Sequence, residues 1–270
     1  MPRRARLDAE LVRRGMARSR EHASLLIADG KVMVRGMQAR KPATAVETDA
    51  PVVVRDQDDP GWASRGAHKL LGALRAFQPH GLTVTGRRCL DAGASTGGFT
   101  DVLLAEGASE VVATDVGRGL LDWRLASDER VTVRDRTNAR ELTPEGIGGA
   151  VQLVVADLSF ISLRLVLPAL TACATADADL LPMVKPQFEV GKDRLGSGGV
   201  VRNPELRVSA VQDVLVSAGE LGWHAHGVVA SPLPGPSGNV EYFIWLRHET
   251  NPAAVEPGEL VRAAVREGPS

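Results

Sequence analysis

Cysteine, aromatic residues and long hydrophobic runs are all scarce in this sequence of 270 residues. Cys89 and Cys173 are too few for a disulfide framework or a zinc site built from cysteines alone, which favours a reducing compartment. No apolar run approaches the ~18 residues that a membrane-spanning helix requires, and the N-terminus lacks the apolar core of a signal peptide. We therefore expect a cytoplasmic protein and exclude a disulfide-rich secreted scaffold and a zinc ribbon.

The net charge of −1 conceals a division of the chain into a basic and an acidic part. Residues 1–41 contain eleven basic and four acidic residues, a net charge of +7, so residues 42–270 carry −8. This asymmetry favours a small domain that binds a polyanion, attached to an acidic body. The alternative interpretation is that the arginines only decorate solvated helices.

The basic segment shows the pattern of a small folded domain. Leu7 and Leu11 lie one helical turn apart, and Ser19 is a candidate N-cap for a second helix. Residues 31–36 alternate like a strand, and residues 44–54 offer one or two further short strands. The segment is therefore predicted to fold as two helices followed by short strands.

With RLDAEL at residues 6–11 and GKVMV at residues 30–34, the segment resembles an S4 domain, a small RNA-binding module. The resemblance covers roughly residues 6–55 and implies that the basic face of the two helices binds structured RNA. Phosphate contacts of this kind provide affinity and little base information. The arginines expected to contact RNA are Arg3, Arg4, Arg6, Arg14, Arg18 and Arg20.

Three regions follow from these patterns. Residues 1–55 form the S4-like domain, and residues 56–64 form a linker, because DQDDPGW at residues 56–62 is acidic and lacks periodicity. Residues 65–270 form the body.

The body is predicted to be an α/β domain with a mostly parallel, seven-stranded sheet. Short apolar segments alternate with helical patterns, which places ligands at the carboxyl ends of the strands. Predicted strands are 88–92, 111–114, 131–134, 153–156, 180–184, 226–230 and 242–246. Predicted helices are 98–106, 163–172, 204–221 and 259–266.

A glycine-rich turn joins the first of these strands to a helix in CLDAGASTGGFTD, residues 89–101. The spacing of its glycines is not Gly-x-Gly-x-x-Gly, so the dinucleotide fingerprint is not met. Asp91 precedes the turn, and a carboxylate there suits an ammonium or sulfonium ligand better than a pyrophosphate. Asp115 ends the next strand, where a carboxylate accepts hydrogen bonds from ribose hydroxyls.

These features resemble the S-adenosylmethionine pocket of class I, Rossmann-like methyltransferases. Thr137 and Asn138 follow the third strand, where a contact with adenine and an ordinary loop or helix cap are equally plausible. The resemblance implies S-adenosylmethionine as the cofactor. The residues expected to bind it are Asp91, Gly93, Ser95, Gly97, Gly98, Phe99, Asp115, Thr137, Asn138 and Asp157.

Four polar residues mark the predicted reaction centre: Lys69, Asp157, Lys185 and Glu241. Each has an ordinary explanation as a surface lysine or a strand-end acid, but Lys185 interrupts an apolar strand and precedes Pro186. In this order they resemble the Lys-Asp-Lys-Glu tetrad of FtsJ-type ribose 2′-O-methyltransferases. A lysine serves as a base only if its pKa is lowered toward ~7–8. The resemblance makes Lys185 the base, oriented by Asp157, with Lys69 as a neighbouring cation.

In that scheme Glu241 holds Lys69 or positions the substrate ribose. No metal is required, and His224 and His226 lack further ligands nearby, so no metal site is predicted.

The S4-like and FtsJ-like parts together resemble the TlyA family of bacterial proteins, which carry both haemolysin and ribosomal RNA methyltransferase names. The resemblance implies 2′-O-methylation of cytidines in 16S and 23S ribosomal RNA, and a link to capreomycin and viomycin susceptibility. Two alternatives stay open: a membrane-active haemolysin, and a non-catalytic RNA-binding factor for ribosome assembly. Cofactor binding would argue against the last, and dye release from liposomes would favour the haemolysin.

Overall fold

The computed structural model divides the chain into two compact units, Met1–Gly61 and Trp62–Ser270. The residues that it describes are 4–17, 19–28, 30–48, 50–54, 61–248 and 256–269. Arg3, Arg18 and most of the expected linker 56–64 lie outside the described residues.

The first unit packs two helices against short antiparallel strands. Leu7, Leu11, Ala23, Ile27 and Val32 are buried together in its core, as the helical spacing of the two leucines predicts. Strand β1 pairs with β4, and β2 pairs with both β3 and β5. The elements are β1 (Arg4–Arg6), α1 (Leu7–Arg13), α2 (Arg20–Ala28), β2 (Val32–Val34), β3 (Met37–Gln38), β4 (Ala45–Glu47) and β5 (Val52–Val54).

The second unit contains a seven-stranded sheet with the order β11-β12-β10-β9-β6-β7-β8. Strand β12 runs antiparallel to both of its neighbours, and the other pairings are parallel. The strands are β6 (Arg88–Ala92), β7 (Glu110–Asp115), β8 (Val131–Asp135), β9 (Val151–Ala156), β10 (Ala174–Val184), β11 (Trp223–Ala230) and β12 (Tyr242–His248). The predicted α/β fold with a mostly parallel sheet is confirmed.

Helices cover both faces of this sheet. Successive residues of a strand point to opposite faces, so Cys89 joins one buried cluster and Leu90 the other. Leu153 and Val154 divide in the same way. The helices are α3 (Gly66–Phe77), α4 (Gly98–Ala105), α5 (Trp123–Ala126), α6 (Leu167–Ala172), α7 (Pro186–Glu189), α8 (Pro204–Glu220) and α9 (Pro257–Glu267).

The structure corrects the predicted helix over residues 163–172. A 3₁₀ turn occupies Leu163–Leu165, and α6 begins only at Leu167. Pro168 explains the later start, because proline lacks a backbone N–H and is favoured in the first turn of a helix. Helix α3 was not predicted, although its buried leucines Leu70 and Leu74 lie one turn apart.

The strand order places functional loops together. The chain builds β6, β7 and β8 outward in one direction and then returns to add β9 on the other side of β6. The loops after the neighbouring strands β6 and β9 therefore start side by side at the carboxyl edge and continue in opposite directions, and α/β sheets bind ligands at such a point.

Candidate active site

Lys185 and Asp157 meet at the carboxyl ends of two neighbouring strands. Pro182 of β10 pairs with Ala156 of β9, so the residues that follow the two strands emerge side by side. Lys185 Nζ lies 2.6 Å from Asp157 Oδ1 and donates a hydrogen bond to Ser159 Oγ at 2.9 Å. Lys185 is only 6% exposed. A buried amine is thus held between a carboxylate and a hydroxyl.

Lys69 and Glu241 form a second buried ion pair. Lys69 comes from α3, and Glu241 immediately precedes β12. Lys69 Nζ donates to Glu241 Oε2 at 2.6 Å, and the glutamate is 1% exposed. Within the described part of the chain, Glu241 Oε1 is buried without a hydrogen-bond partner. A Cβ on Gly235 would lie 2.5 Å from that oxygen, so a larger residue there would displace the carboxylate.

The two ion pairs lie where two clefts adjoin. A cleft of about 360 Å³ is lined by Lys69 and Asp157, and a cleft of about 590 Å³ is lined by Lys185 and Glu241. Each ion pair therefore has one member on each cleft. This arrangement suits a reaction in which a donor in one cleft meets an acceptor in the other.

The glycine-rich turn forms one wall of the smaller cleft. Gly93 has a φ of +86°, and a Cβ there would lie 2.7 Å from the carbonyl oxygen of Asp157. Glycine is therefore required where the turn passes close to the loop after β9. Of the predicted cofactor residues, this cleft is lined by Gly93, Ser95, Gly98, Phe99 and Asp157.

Asp91 is completely buried at the end of β6. Thr100 Oγ1 donates to its Oδ2 at 2.7 Å, while Oδ1 is buried and has no partner among the described residues. Burial raises the pKa of Asp91 to about 7, and the nearby charge of Asp157 acts in the same direction. An unsatisfied buried carboxyl of this kind is suited to a cationic ligand.

Asp115, the last residue of β7, connects the loop after β6 with the loop after β7. Its carboxylate accepts hydrogen bonds from the backbone N–H groups of Ser95 at 2.9 Å and Gly117 at 2.7 Å. Asp115, Asp91, Gly97, Thr137 and Asn138 are not among the lining residues of the smaller cleft.

Asn138 and Thr137 make local hydrogen bonds. The Asn138 side chain accepts from Arg140 N at 3.1 Å and caps a 3₁₀ turn, and Thr137 Oγ1 donates to the carbonyl of Asp135. The capping role left open by the sequence is therefore present for Asn138.

The arginines predicted to bind RNA differ in their surroundings. Arg6 and Arg20 both donate to Asp8, with side chains 51% and 59% exposed. These contacts hold the pKa of Asp8 well below its usual range. Arg4 is 69% exposed and lies 3.6 Å from Glu47.

Arg14 is the most enclosed of these arginines. It is 17% exposed, and it donates to Glu10 and to the backbone carbonyls of Thr48 and Ala50. Arg14 therefore ties α1 to the segment between β4 and β5.

Sequence reasoning missed Ser159 and Glu189. Glu189 is 4% exposed, and its carboxylate accepts from Ser162 Oγ at 2.5 Å and from Leu163 N at 2.7 Å. Glu189 ends the segment KPQFE, residues 185–189, and nothing in the sequence of that segment indicates that this glutamate is buried. Ser159 occupies an ordinary loop position.

In the described residues, no helix combines the length and apolarity needed to span a membrane.

Comparison with known proteins places these features in a family. The model of the FtsJ-like methyltransferase family matches residues 62–248. A 16S/23S rRNA (cytidine-2′-O)-methyltransferase TlyA of Mycobacterium tuberculosis is 62% identical over 271 residues, covering 100% of both chains. Hemolysin A of Brachyspira hyodysenteriae is 33% identical, covering 88% of this chain and 97% of the relative.

Among solved structures, a protein described as a hemolysin of Streptococcus thermophilus is 33% identical with a TM-score of 0.77. That match covers 99% of this chain and 97% of the other. The two buried ion pairs thus belong to a methyltransferase fold, and the chain is a member of the FtsJ-like methyltransferase family, within its TlyA group.

Proposed function

We propose that this protein transfers a methyl group from S-adenosylmethionine to the ribose 2′-hydroxyl of cytidines in 16S and 23S ribosomal RNA. The observation that carries the proposal is the pairing of Lys69 with Glu241 and of Lys185 with Asp157 across two adjoining clefts. The full-length similarity to a protein named for this activity supports the choice of substrate. A ribosomal substrate also accords with a cytoplasmic location.

The residues in and around the smaller cleft fit S-adenosylmethionine; in this proposal the smaller cleft is the donor cleft and the larger one is the acceptor cleft. Asp91 Oδ1, buried and unpartnered among the described residues, suits the ammonium group, and the carboxylate of Asp115 suits the ribose hydroxyls, although neither residue lines the cleft itself. Gly93, Ser95, Gly97, Gly98 and Phe99 would form the wall, with Thr137 and Asn138 toward the adenine and Asp157 toward the reactive end. When bound there, the cofactor supplies an electrophilic methyl carbon, which leaves with its bond electrons retained by sulfur.

Lys185 acts on the proton of the acceptor. Its unprotonated amine would take the proton of the 2′-hydroxyl as the oxygen forms its bond to the methyl carbon, and then release that proton to water. Asp157 orients the amine from the cofactor side. Such a base is effective only when it lies within hydrogen-bonding reach of the hydroxyl.

Lys69 and Glu241 position the acceptor. Glu241 uses Oε2 to hold Lys69, which leaves Oε1 to accept a hydrogen bond from a ribose hydroxyl. Lys69 supplies a second positive charge beside the donor cleft. The pair of Lys185 and Asp157 thus serves proton transfer, and the pair of Lys69 and Glu241 positions the acceptor ribose.

The basic first unit supplies affinity for RNA. In this proposal residues 1–55 bind ribosomal RNA, residues 65–270 catalyse methyl transfer, and residues 56–64 connect these two domains. The exposed guanidinium groups of Arg4, Arg6 and Arg20 would contact phosphates, and Arg3 and Arg18 belong to the same basic set. Arg14 would contribute through the fold of the unit, because its enclosed guanidinium already donates to Glu10, Thr48 and Ala50.

Arg14 and Arg4 give a testable contrast. Arg14→Ala should destabilise the first unit by roughly 1–3 kcal/mol, because it leaves buried acceptors without their charged donor. Arg4→Ala should preserve stability and reduce the slope of log K against log salt by about 1. Thermal unfolding and RNA binding at several salt concentrations, both on the full chain, measure the two effects. Equal stability of the Arg14 variant and wild type would contradict the structural role.

The proposed activity is tested with purified protein, labelled S-adenosylmethionine and ribosomal subunits from cells that lack the gene. Nuclease digestion and mass spectrometry should identify 2′-O-methylcytidine in both RNAs. Label on a base, or no label in RNA although the cofactor binds, would overturn the proposal. Release of dye from liposomes by the same preparation would favour the haemolysin alternative.

A further inference from the structure

The amine of Lys185 has two oxygen partners, and only one belongs to the tetrad. Asp157 Oδ1 lies 2.6 Å from Nζ, and Ser159 Oγ accepts a hydrogen bond from Nζ at 2.9 Å. Within the described part of the chain, the contact with Asp157 is an ion pair without hydrogen-bond geometry, so Ser159 Oγ is the one oxygen hydrogen-bonded to this nitrogen. Lys185 and Ser159 both line the cleft of about 590 Å³, so the nitrogen and the hydroxyl face the same space.

The number of partners matters for an amine that acts as a base. A neutral amine carries two N–H bonds and one lone pair around its carbon substituent. An N–H bond directed at Ser159 Oγ fixes one direction of the amine, and the charge of the Asp157 carboxylate attracts the second N–H, which leaves the lone pair the remaining tetrahedral direction. With the Asp157 contact alone, which lacks hydrogen-bond geometry, the amine rotates about its Cε–Nζ bond, and the lone pair is distributed over several directions.

The hydroxyl of Ser159 is held in place by its loop. Three residues further on, Ser162 donates to Glu189, and Leu163 N donates to the other oxygen of the same carboxylate. Glu189 is buried in α7, which begins directly after Lys185. The loop that carries Ser159 is therefore tied to the helix that follows the lysine, which limits changes in the distance between Ser159 and Lys185.

We propose that Ser159 is a positioning residue that fixes the rotation of the Lys185 amine, so that its lone pair faces the acceptor cleft. This inference rests on the proposed function, because it assigns Ser159 a part in the same proton transfer. Ser159 acts through the lysine, and the acceptor's proton still passes to Lys185 Nζ.

The test compares Ser159→Ala with Ser159→Thr, which keeps a hydroxyl on the same carbon. In methyl transfer to ribosomal subunits, Ser159→Ala should lower kcat about tenfold or more, because the amine loses the one hydrogen bond that fixes its rotation. KM for RNA and for the cofactor should stay within about twofold of wild type. Ser159→Thr should recover most of the lost kcat. Ser109→Ala, at an exposed serine before β7, is the matched control.

Calorimetric titration with S-adenosylmethionine and a thermal unfolding curve show that each variant is folded and binds the cofactor. The inference is overturned if Ser159→Ala retains the wild-type kcat, if it raises only KM, or if Ser159→Thr is as slow as Ser159→Ala. Failure of the wild-type protein to methylate ribosomal RNA would overturn the proposed function and this inference together. An active wild type with an unaffected alanine variant overturns only the role of Ser159.

Discussion

Replacing Lys185 by alanine is expected to lower kcat for methyl transfer by about 10²–10⁴-fold, the contribution typical of a positioned general base. Binding of the cofactor and of RNA should change little, since Lys185 lines the acceptor cleft and is not among the residues that line the donor cleft. Single-turnover kinetics with ribosomal subunits measure the chemical step. Calorimetry and RNA titration measure the two binding events.

Lys185→Arg separates the role of a base from that of a charge. Arginine keeps a positive group beside Asp157, but a guanidinium is not deprotonated in proteins. We therefore expect Lys185→Arg to be nearly as slow as Lys185→Ala. Activity near wild type in the arginine variant would assign Lys185 an electrostatic role and exclude it as the base.

Asp91→Asn is expected to weaken cofactor binding and to stabilise the cofactor-free protein. Binding at pH 8 should fall about 10- to 100-fold, because the ligand's ammonium loses a charged partner. Stability at pH 8 should rise by on the order of 4 kcal/mol, because burial of the ionised carboxylate is removed. Calorimetry and thermal unfolding measure these effects, which have opposite signs.

The pH dependence follows from the raised pKa of Asp91, about 7 in the folded protein. The folded protein binds this proton more tightly than the unfolded chain, so the carboxyl favours folding most at low pH. That contribution is lost as pH rises through about 4 to 7, and the stability gap between variant and wild type should widen over this range.

Over the same range, cofactor affinity of the wild type should increase as Asp91 ionises. Glu129→Gln removes an exposed carboxylate and serves as the control. A stability gap between Asp91→Asn and wild type that stays constant from pH 4 to 8 would contradict burial of an ionisable Asp91.

The sequence predicted the sheet well because its strands are buried on both faces and are bounded by glycine turns or helices. The strand 88–92 agrees with β6 at both ends, whereas the strand predicted at 180–184 begins at Ala174. The early residues of β10 include Asp177 and Asp179, and no apolar pattern indicates them. Asp179 is buried, and its carboxylate accepts hydrogen bonds from Arg87, Trp245 and Arg247, which are distant in the sequence.

Part of the candidate site could be predicted from the sequence. A lysine between an apolar run and a proline singles out Lys185 in the sequence, but only the pairing of β9 with β10 shows that Asp157 reaches its amine. For Glu241 the sequence left two roles open, and the structure shows one oxygen bonded to Lys69 and the other unpartnered among the described residues. The enclosure of Arg14 depends on carbonyls more than thirty residues away, so a count of charges cannot show it.

Lys185 is proposed to receive the acceptor's proton where the two clefts adjoin. A structure of the protein with a ribosomal RNA fragment and a non-reactive cofactor analogue tests this most directly. We predict that the ribose 2′-oxygen lies within about 3 Å of Lys185 Nζ, with the analogue's sulfur on the opposite side of the reacting carbon. A 2′-oxygen beyond hydrogen-bonding reach of Lys185, or a Lys185 amine turned away to solvent, would contradict the account.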